Sequence, residues 1–176
     1  MKQEFTLTVF TENRAGVLSR VVGIITRRHI NIESLSSSPS SIEGMHKIIV
    51  VINVTEELVK KVVASIDKQI DVMKAFHYRT EDIVHQEMAL YKVPTAAFHE
   101  GDTVEQLVRK YDAKILRIEK EYIVIQKTGH QKETEALLDD LRQIGIYEFV
   151  RSGRVAIVKP MERLNNYMRK MNATAN

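Results

Sequence analysis

The same succession of strand and helix patterns occurs twice in this sequence, and that repeat determines which folds are open to it. Segments with a two-residue apolar period or a β-branched run predict strands, and apolar residues three and four positions apart predict helices. In the first half, strands are predicted at residues 5–11, 32–38, 48–54 and 72–78. Helical stripes cover residues 17–28 and 58–70. The predicted order is therefore β-α-β-β-α-β.

The second half repeats this order from residue 81 onward. Strands are predicted at residues 88–93, 115–118, 122–126, 147–150 and 155–158. A loop over residues 94–101 leads to a helix that opens with the capping box Thr103-Val104-Glu105-Gln106. The second helix ends at Gly145, which we expect to be a left-handed cap. Each unit has the ferredoxin-like arrangement, an α+β fold with an antiparallel sheet and both helices on one face of it. The sequence therefore predicts two such units in tandem.

The repeat also predicts the domain organisation. We expect a first unit over residues 1–80, a second over residues 85–160, and a tail over residues 161–176 that is locally rich in Lys and Arg. A unit of about 75 residues whose other sheet face is uncovered buries little surface for its size. We therefore expect it to pair with another copy, either edge to edge or face to face.

Composition and spacing exclude several kinds of chemistry. The chain has no Cys, which excludes disulfides, thiolate nucleophiles and Cys-ligated metals. Its seven glycines form neither a G-x-G-x-x-G motif nor a P-loop, and its six histidines never stand at the i, i+4 spacing of a zinc protease. Ser65-x-x-Lys68 and Lys127-Thr128-Gly129 match two β-lactamase motifs, but the third, S-D-N, is missing. We expect no catalytic residues and no metal.

The charge pattern argues against nucleic acid and membrane as partners. The net charge is only +3, and no apolar run approaches the roughly 18 residues that span a bilayer. The amino terminus lacks the pattern of a signal peptide, so we expect a cytoplasmic protein. An RNA-recognition module shares the element order, but it stacks bases on aromatic residues of its third strand, and residues 47–53 contain none. An acylphosphatase-like enzyme could use Arg14 to hold phosphate, but no further catalytic group accompanies it.

The segment from Glu12 to Arg20 is the most informative about binding, because a strand ends there in a polar turn and a helix begins at or near Gly16. The first N–H groups of a helix have no partner inside it and lie at its positive end, so they bind carboxylates, and glycine removes a Cβ that would obstruct the approach. Asn13 adds an amide that can donate and accept hydrogen bonds. Asn31 follows the same helix and either lines this site across a dimer interface or is a turn residue. The alternative for Asn13 and Gly16 is purely structural, a turn and close helix packing.

Two long stretches of the sequence resemble a known family. NRAGVLSRVVG at residues 13–23 and RRHINIESL at residues 27–35 are similar to the amino-terminal signature of the regulatory small subunit of acetohydroxyacid synthase, also called acetolactate synthase. QEMALYKV at residues 86–93 and RSG at residues 151–153 continue the likeness, so that it covers essentially the whole chain.

The resemblance implies a non-catalytic regulatory subunit. In this family the first unit is an amino-acid-sensing ACT domain, and the second is a smaller ferredoxin-like domain. The partner is a large catalytic subunit that carries thiamine diphosphate, Mg²⁺ and FAD and serves branched-chain amino-acid biosynthesis. The small subunit raises the partner's activity and confers feedback inhibition, typically by valine, while binding no cofactor itself. A free-standing amino-acid sensor with another client is the alternative.

The resemblance also implies where the effector binds. The family's site lies between the ACT domains of a homodimer, which places it at Asn13, Gly16 and Asn31, with the backbone amides of Ala15, Val17 and Leu18 completing a carboxylate cradle. The chain departs from the family at His29, where a glycine normally supplies a positive-φ cap. We therefore expect a strained His29.

Overall fold

The computed structural model describes residues 1–96 and 103–159. It confirms the predicted α+β fold with two tandem ferredoxin-like units. The elements of the first unit are β1 (Gln3–Glu12), α1 (Val17–Thr26), β2 (Ile32–Pro39), β3 (Met45–Val54), α2 (Glu56–Asp67) and β4 (Val72–Tyr78). Those of the second are β5 (Ile83–Pro94), α3 (Thr103–Lys110), β6 (Lys114–Ile118), β7 (Tyr122–Gly129), α4 (Gln131–Ile144), β8 (Glu148–Arg151) and β9 (Val155–Val158).

Each unit has one antiparallel sheet, in which the first and third strands of the unit lie in the interior. The strand order is β2-β3-β1-β4 in the first sheet, and β6-β7-β5-β8 in the second, where β9 also pairs with β5. Strand β2 is therefore an edge strand, and its register on β3 shifts between Ile32 and Ser34. None of the helices in the described ranges is long and apolar enough to cross a membrane.

Two separate apolar cores follow from the alternation seen in the sequence. Phe5, Leu7 and Val9 point from β1 toward both helices of the first unit, where Ile25 and Ile66 are among the fully buried residues. In the second unit, Tyr91 of β5 packs with the buried residues Ile123, Ile125, Leu137 and Leu141. The hydroxyl of Tyr91 donates a 2.7 Å hydrogen bond to the carbonyl of Thr134, which satisfies the one polar group that this ring brings into the core.

Several predicted details are wrong. Helix α2 ends at Asp67, and Ile70, which we expected on its apolar stripe, is 81% exposed, because the chain turns there toward β4 through Asp71 in a left-handed conformation (φ 70°). Gly145 has φ 107° and ψ 128°, so it is not a left-handed cap, although its positive φ still favours glycine. Strand β5 begins at Ile83 rather than Met88.

Three further expectations fall partly or wholly outside the described residues. The loop predicted over residues 94–101 is described only as far as residue 96, and the side chain of Thr103, on which the capping box depends, is not described. The basic tail predicted over residues 161–176 also lies outside the described part of the chain.

The sheet face opposite the helices of the first unit is covered by the second unit, contrary to the expectation that it stays open. Ile49 packs there against Ile83 and Ala156, while Thr6 is 1% exposed. The cause is the return of β9 to the start of β5, which lays β9 across the first sheet. The corresponding face of the second unit agrees with the expectation, because its Met88 is 43% exposed.

Candidate functional site

The first helix begins at Gly16 with several backbone donors unpaired. Gly16 is the N-cap residue, and no side chain in the described part of the molecule caps the helix. Val17 N–H lies 3.5 Å from the Arg14 carbonyl, and the first regular helical bond runs from Arg20 N–H to the Gly16 carbonyl at 3.1 Å. Within the described ranges, the amides of Leu18 and Ser19 have no acceptor. Because the first turn also contains no acidic residue, the positive end of the helix is available to an anion.

Gly16 is required by its backbone conformation. It has φ 85° and ψ −13°, in the left-handed region where a side chain is strained. A Cβ added there would meet nothing nearer than the Arg20 guanidinium at 3.8 Å. Among the described residues of the single chain, therefore, nothing crowds the space in front of the helix start, and glycine is not needed there to relieve crowding.

Asn13 and Ala15 lie beside this helix start, as the sequence predicts. The backbone N–H of Asn13 donates to the Gly44 carbonyl at 3.1 Å, which ties the turn to the loop before β3. The Asn13 side chain is exposed and makes no hydrogen bond with the described residues. The structure thus groups Asn13, Ala15, Gly16 and the amides of the first helical turn around one open surface.

An ion-pair network that the sequence analysis missed frames the same surface. Arg20 Nη2 lies 2.7 Å from Asp71 Oδ2, and Arg14 Nη1 lies 3.4 Å from Asp71 Oδ1. Arg14 Nε also contacts Glu12 Oε2 at 2.8 Å. Asp71 follows α2 and is distant in sequence, so no local pattern connects it to Arg14 or Arg20. The network links the β1–α1 turn to the α2–β4 turn.

Asn31 lies at the other end of the same sheet. It directly precedes β2, where Ile32 pairs with Ile52 near the end of β3, whereas Asn13 is tied to Gly44 just before β3 begins. Ile52 is eight residues beyond Gly44, which corresponds to roughly 26 Å along an extended strand. One chain therefore does not bring Asn31 to Asn13 and Gly16.

The immediate surroundings of Asn31 show a strained turn. His29 has φ 55°, as expected for a residue in the place of a glycine cap. Ile30 is buried, while Asn31 is exposed and its Nδ2 donates to Glu33 Oε1 at 3.2 Å. The Asn31 amide is thus oriented by its own strand and remains accessible.

The described residues form no metal-binding cluster. Residues 1–96 and 103–159 contain no cluster of three or more His, Asp or Glu side chains that could hold a metal ion. Two histidines do meet, His85 and His130, with ring centroids 4.5 Å apart. Burial, together with the neighbouring charge of Arg154, lowers the pKa of His85 below its ordinary value.

Comparison with known proteins gives consistent matches to one family over both units. Residues 7–74 match the family described as AHAS small subunit-like ACT domain, and residues 86–160 match the family described as small subunit of acetolactate synthase. The acetolactate synthase small subunit of Bacillus subtilis is 35% identical over 160 residues, covering 90% of this chain and 91% of that protein. A probable acetolactate synthase small subunit of Archaeoglobus fulgidus is 32% identical, covering 88% and 96%.

A solved structure also matches over nearly its whole length. The crystal structure of the acetolactate synthase small subunit from Thermotoga maritima superposes with a TM-score of 0.81 at 26% sequence identity. The match covers 90% of this chain and 98% of that one, so it includes both units and their relative placement.

Proposed function

The chain belongs to the acetolactate synthase small-subunit family, and from this premise we propose that it activates a large catalytic subunit and makes it sensitive to valine or a related amino acid. The catalytic partner would carry thiamine diphosphate, Mg²⁺ and FAD, while this chain supplies no catalytic group and no cofactor. The pathway served would be the synthesis of valine, leucine and isoleucine.

The observation that carries the effector role is the helix start at Gly16. Its unpaired amides at Leu18 and Ser19 and the positive end of the helix suit the carboxylate of an amino acid. The side-chain amide of Asn13, which has no partner among the described residues, can accept a hydrogen bond from the ligand's ammonium group through its oxygen. Val17 is buried and its N–H is already directed at the Arg14 carbonyl at 3.5 Å, so among the amides of this turn those of Leu18 and Ser19 are better placed to bind the carboxylate. Leu18 is partly exposed and offers an apolar contact for an aliphatic side chain.

Asn31 can join this site only from a second copy of the chain. Strand β2 is an edge of its sheet, and an antiparallel pairing of two β2 strands about a two-fold axis reverses one relative to the other. That reversal places the start of one β2 beside the end of the other. Pro39 at that end pairs with His46, close to Gly44 and Asn13. A homodimer of first units thus brings the partner's Asn31 toward the helix start of this chain.

Calorimetric titration of the full chain with valine, leucine and isoleucine at millimolar concentration tests the effector role. Gly16→Asp puts a carboxylate against the ligand's own. At about 4 Å, this repulsion is worth about 4 kcal/mol near a protein surface, which is about a thousandfold in affinity. Gly16→Asn is the matched control, since Asn has the same shape, tolerates positive φ and carries no charge. Since both variants add the same bulk, we expect Gly16→Asp to bind about a thousandfold more weakly than Gly16→Asn. Equal binding by the two variants would show that the effector binds elsewhere on the molecule.

Purification from the native cell tests the partner. We expect a thiamine-diphosphate-dependent large subunit to accompany this chain and to lose activity when the chain is removed. A different dominant client would make the chain a free-standing amino-acid sensor instead.

A further inference from the structure

Arg154 lies buried between the two units. The residue is 3% exposed. Its Nη1 donates to Glu4 Oε1 at 2.8 Å and to Thr6 Oγ1 at 2.9 Å, both on β1. On the side of the second unit, its Nε is 3.6 Å from Glu87 Oε1 on β5 and makes no hydrogen bond with the described residues. One guanidinium group therefore lies between a carboxylate from each unit.

The backbone at the same position is fixed to strand β2. Arg154 N–H donates to Ser34 Oγ at 3.0 Å, and the Arg154 carbonyl accepts from Ser36 Oγ at 2.7 Å. The preceding residue, Gly153, is so close that an added Cβ would lie 2.3 Å from the Leu35 carbonyl oxygen. The bend between β8 and β9 is thus held in register along three consecutive residues of β2.

The same stretch of β2 follows Asn31, which belongs to the proposed effector site. Ser34 is three residues from Asn31, and the irregularity in the β2–β3 register falls between them, at Glu33. Asn31 itself is bonded to Glu33. Because a bulge is where a strand changes its direction and twist most easily, a displacement of Asn31 by a ligand reaches Ser34 through continuous backbone with no loop between.

From Arg154 the contacts continue into the second unit. Glu87 Oε2 lies 3.2 Å from Arg151 Nε, and Arg151 Nη1 lies 3.1 Å from Glu135 on α4. A cavity of about 340 Å³, lined in part by Ser34, Glu87 and Arg151, borders this cluster and leaves its side chains room to rearrange. Buried charges that lose a partner are costly, so any rearrangement here has to keep Arg154 and Glu87 paired.

Resting on the effector role proposed above, we propose that Arg154 is a positioning residue that couples occupancy at Asn31 to the second unit, and that Ser34 and Ser36 transmit the movement of β2 to its backbone. The occupant is a free amino acid at the split site, and the response is a change in how the second unit is held against the first. This coupling predicts that ligand binding and ligand response can be separated by substitutions on β2.

The test uses the double variant Ser34→Ala/Ser36→Ala in the complex with the catalytic subunit, with valine as the probe. These substitutions remove both bonds to the Arg154 backbone and leave every ion pair in place. Ser37→Ala is the matched control, because Ser37 lies on the same strand, is exposed, and has no side-chain hydrogen bond in the described part of the chain. Valine binding to the full chain is measured by calorimetry, and inhibition of the complex by valine is measured by activity.

We expect the double variant to bind valine within about twofold of wild type while its inhibition constant rises at least about fivefold, the lower end of typical coupling. Ser37→Ala should match wild type in both measurements. Unchanged inhibition in the double variant, or a parallel loss of binding and inhibition, overturns the proposed coupling through Arg154. If wild type itself neither binds valine nor responds to it, the effector proposal is what fails. Should the double variant not fold, Ser36→Ala alone gives the same comparison.

Discussion

Replacement of Gly153 by alanine should weaken the junction between the two units, and the structure gives the size of the effect. The added Cβ would lie 2.3 Å from the Leu35 carbonyl oxygen, 2.7 Å from its carbonyl carbon and 3.1 Å from Ser36 Cβ. Two of these neighbours are backbone atoms, which cannot move without distorting β2. Overpacking of this kind typically costs about 1–3 kcal/mol. For a chain of this length, that lowers the melting temperature by roughly 2–12 °C.

The measurement is equilibrium unfolding in urea, read as the midpoint and slope, with thermal unfolding as a second measure. Gly23→Ala is the control, because its Cβ would meet the flexible Arg27 guanidinium, whose Nη1 lies 3.3 Å away, inside helix α1. There alanine should stabilise by about 0.5–1 kcal/mol. Gly153→Ala should therefore fall below wild type and Gly23→Ala above it. A Gly153→Ala protein as stable as wild type would show that the bend does not pack on β2 as described.

Two further predictions concern buried polar groups. Burial and the charge of Arg154 lower the pKa of His85 from 6.5, so the unfolded chain takes up a proton first and stability should decrease as the pH falls below 6.5. His85→Gln should flatten that decrease between about pH 7 and about pH 5 in urea titrations, and an unchanged slope would assign the pH dependence to other groups. Tyr91→Phe removes the bond to the Thr134 carbonyl and should cost about 0.5–1.5 kcal/mol. Tyr147 is exposed, so Tyr147→Phe should cost nothing measurable, and equal losses of stability in the two variants would contradict the role of the buried hydrogen bond.

The sequence was sufficient for the fold because its strand and helix patterns are local. Alternation of Phe5, Leu7 and Val9 sets one face of β1 inward, and the helical stripe from Val17 to Ile25 sets the buried face of α1. The helix start at Gly16 was predictable for the same reason, because a polar turn followed by that stripe defines where α1 begins.

Features that depend on contacts between distant residues could not be read from the sequence. Arg154 bonds to residues 148 and 150 positions away, and no periodicity links such positions. The role of Asp71 was not predicted, because the apolar spacing extends the predicted helix to Ile70. In the structure the chain instead turns at Asp71, which has a left-handed backbone conformation. The family resemblance predicts that Asn31 belongs to the effector site, but only the structure shows that Asn31 lies at the far end of the sheet from Asn13.

That separation has a thermodynamic consequence. In the proposed homodimer, half of each effector site would lie at either end of one sheet, so a two-fold dimer would have two equivalent composite sites and each bound amino acid would hold two chains together. Ligand binding and chain association are then linked by mass action, so the ligand tightens the dimer as much as the dimer tightens the ligand. Amino-acid sensitivity should therefore decline when the protein is diluted below its dimer dissociation constant, and the concentration of the chain itself becomes a variable that sets the feedback threshold.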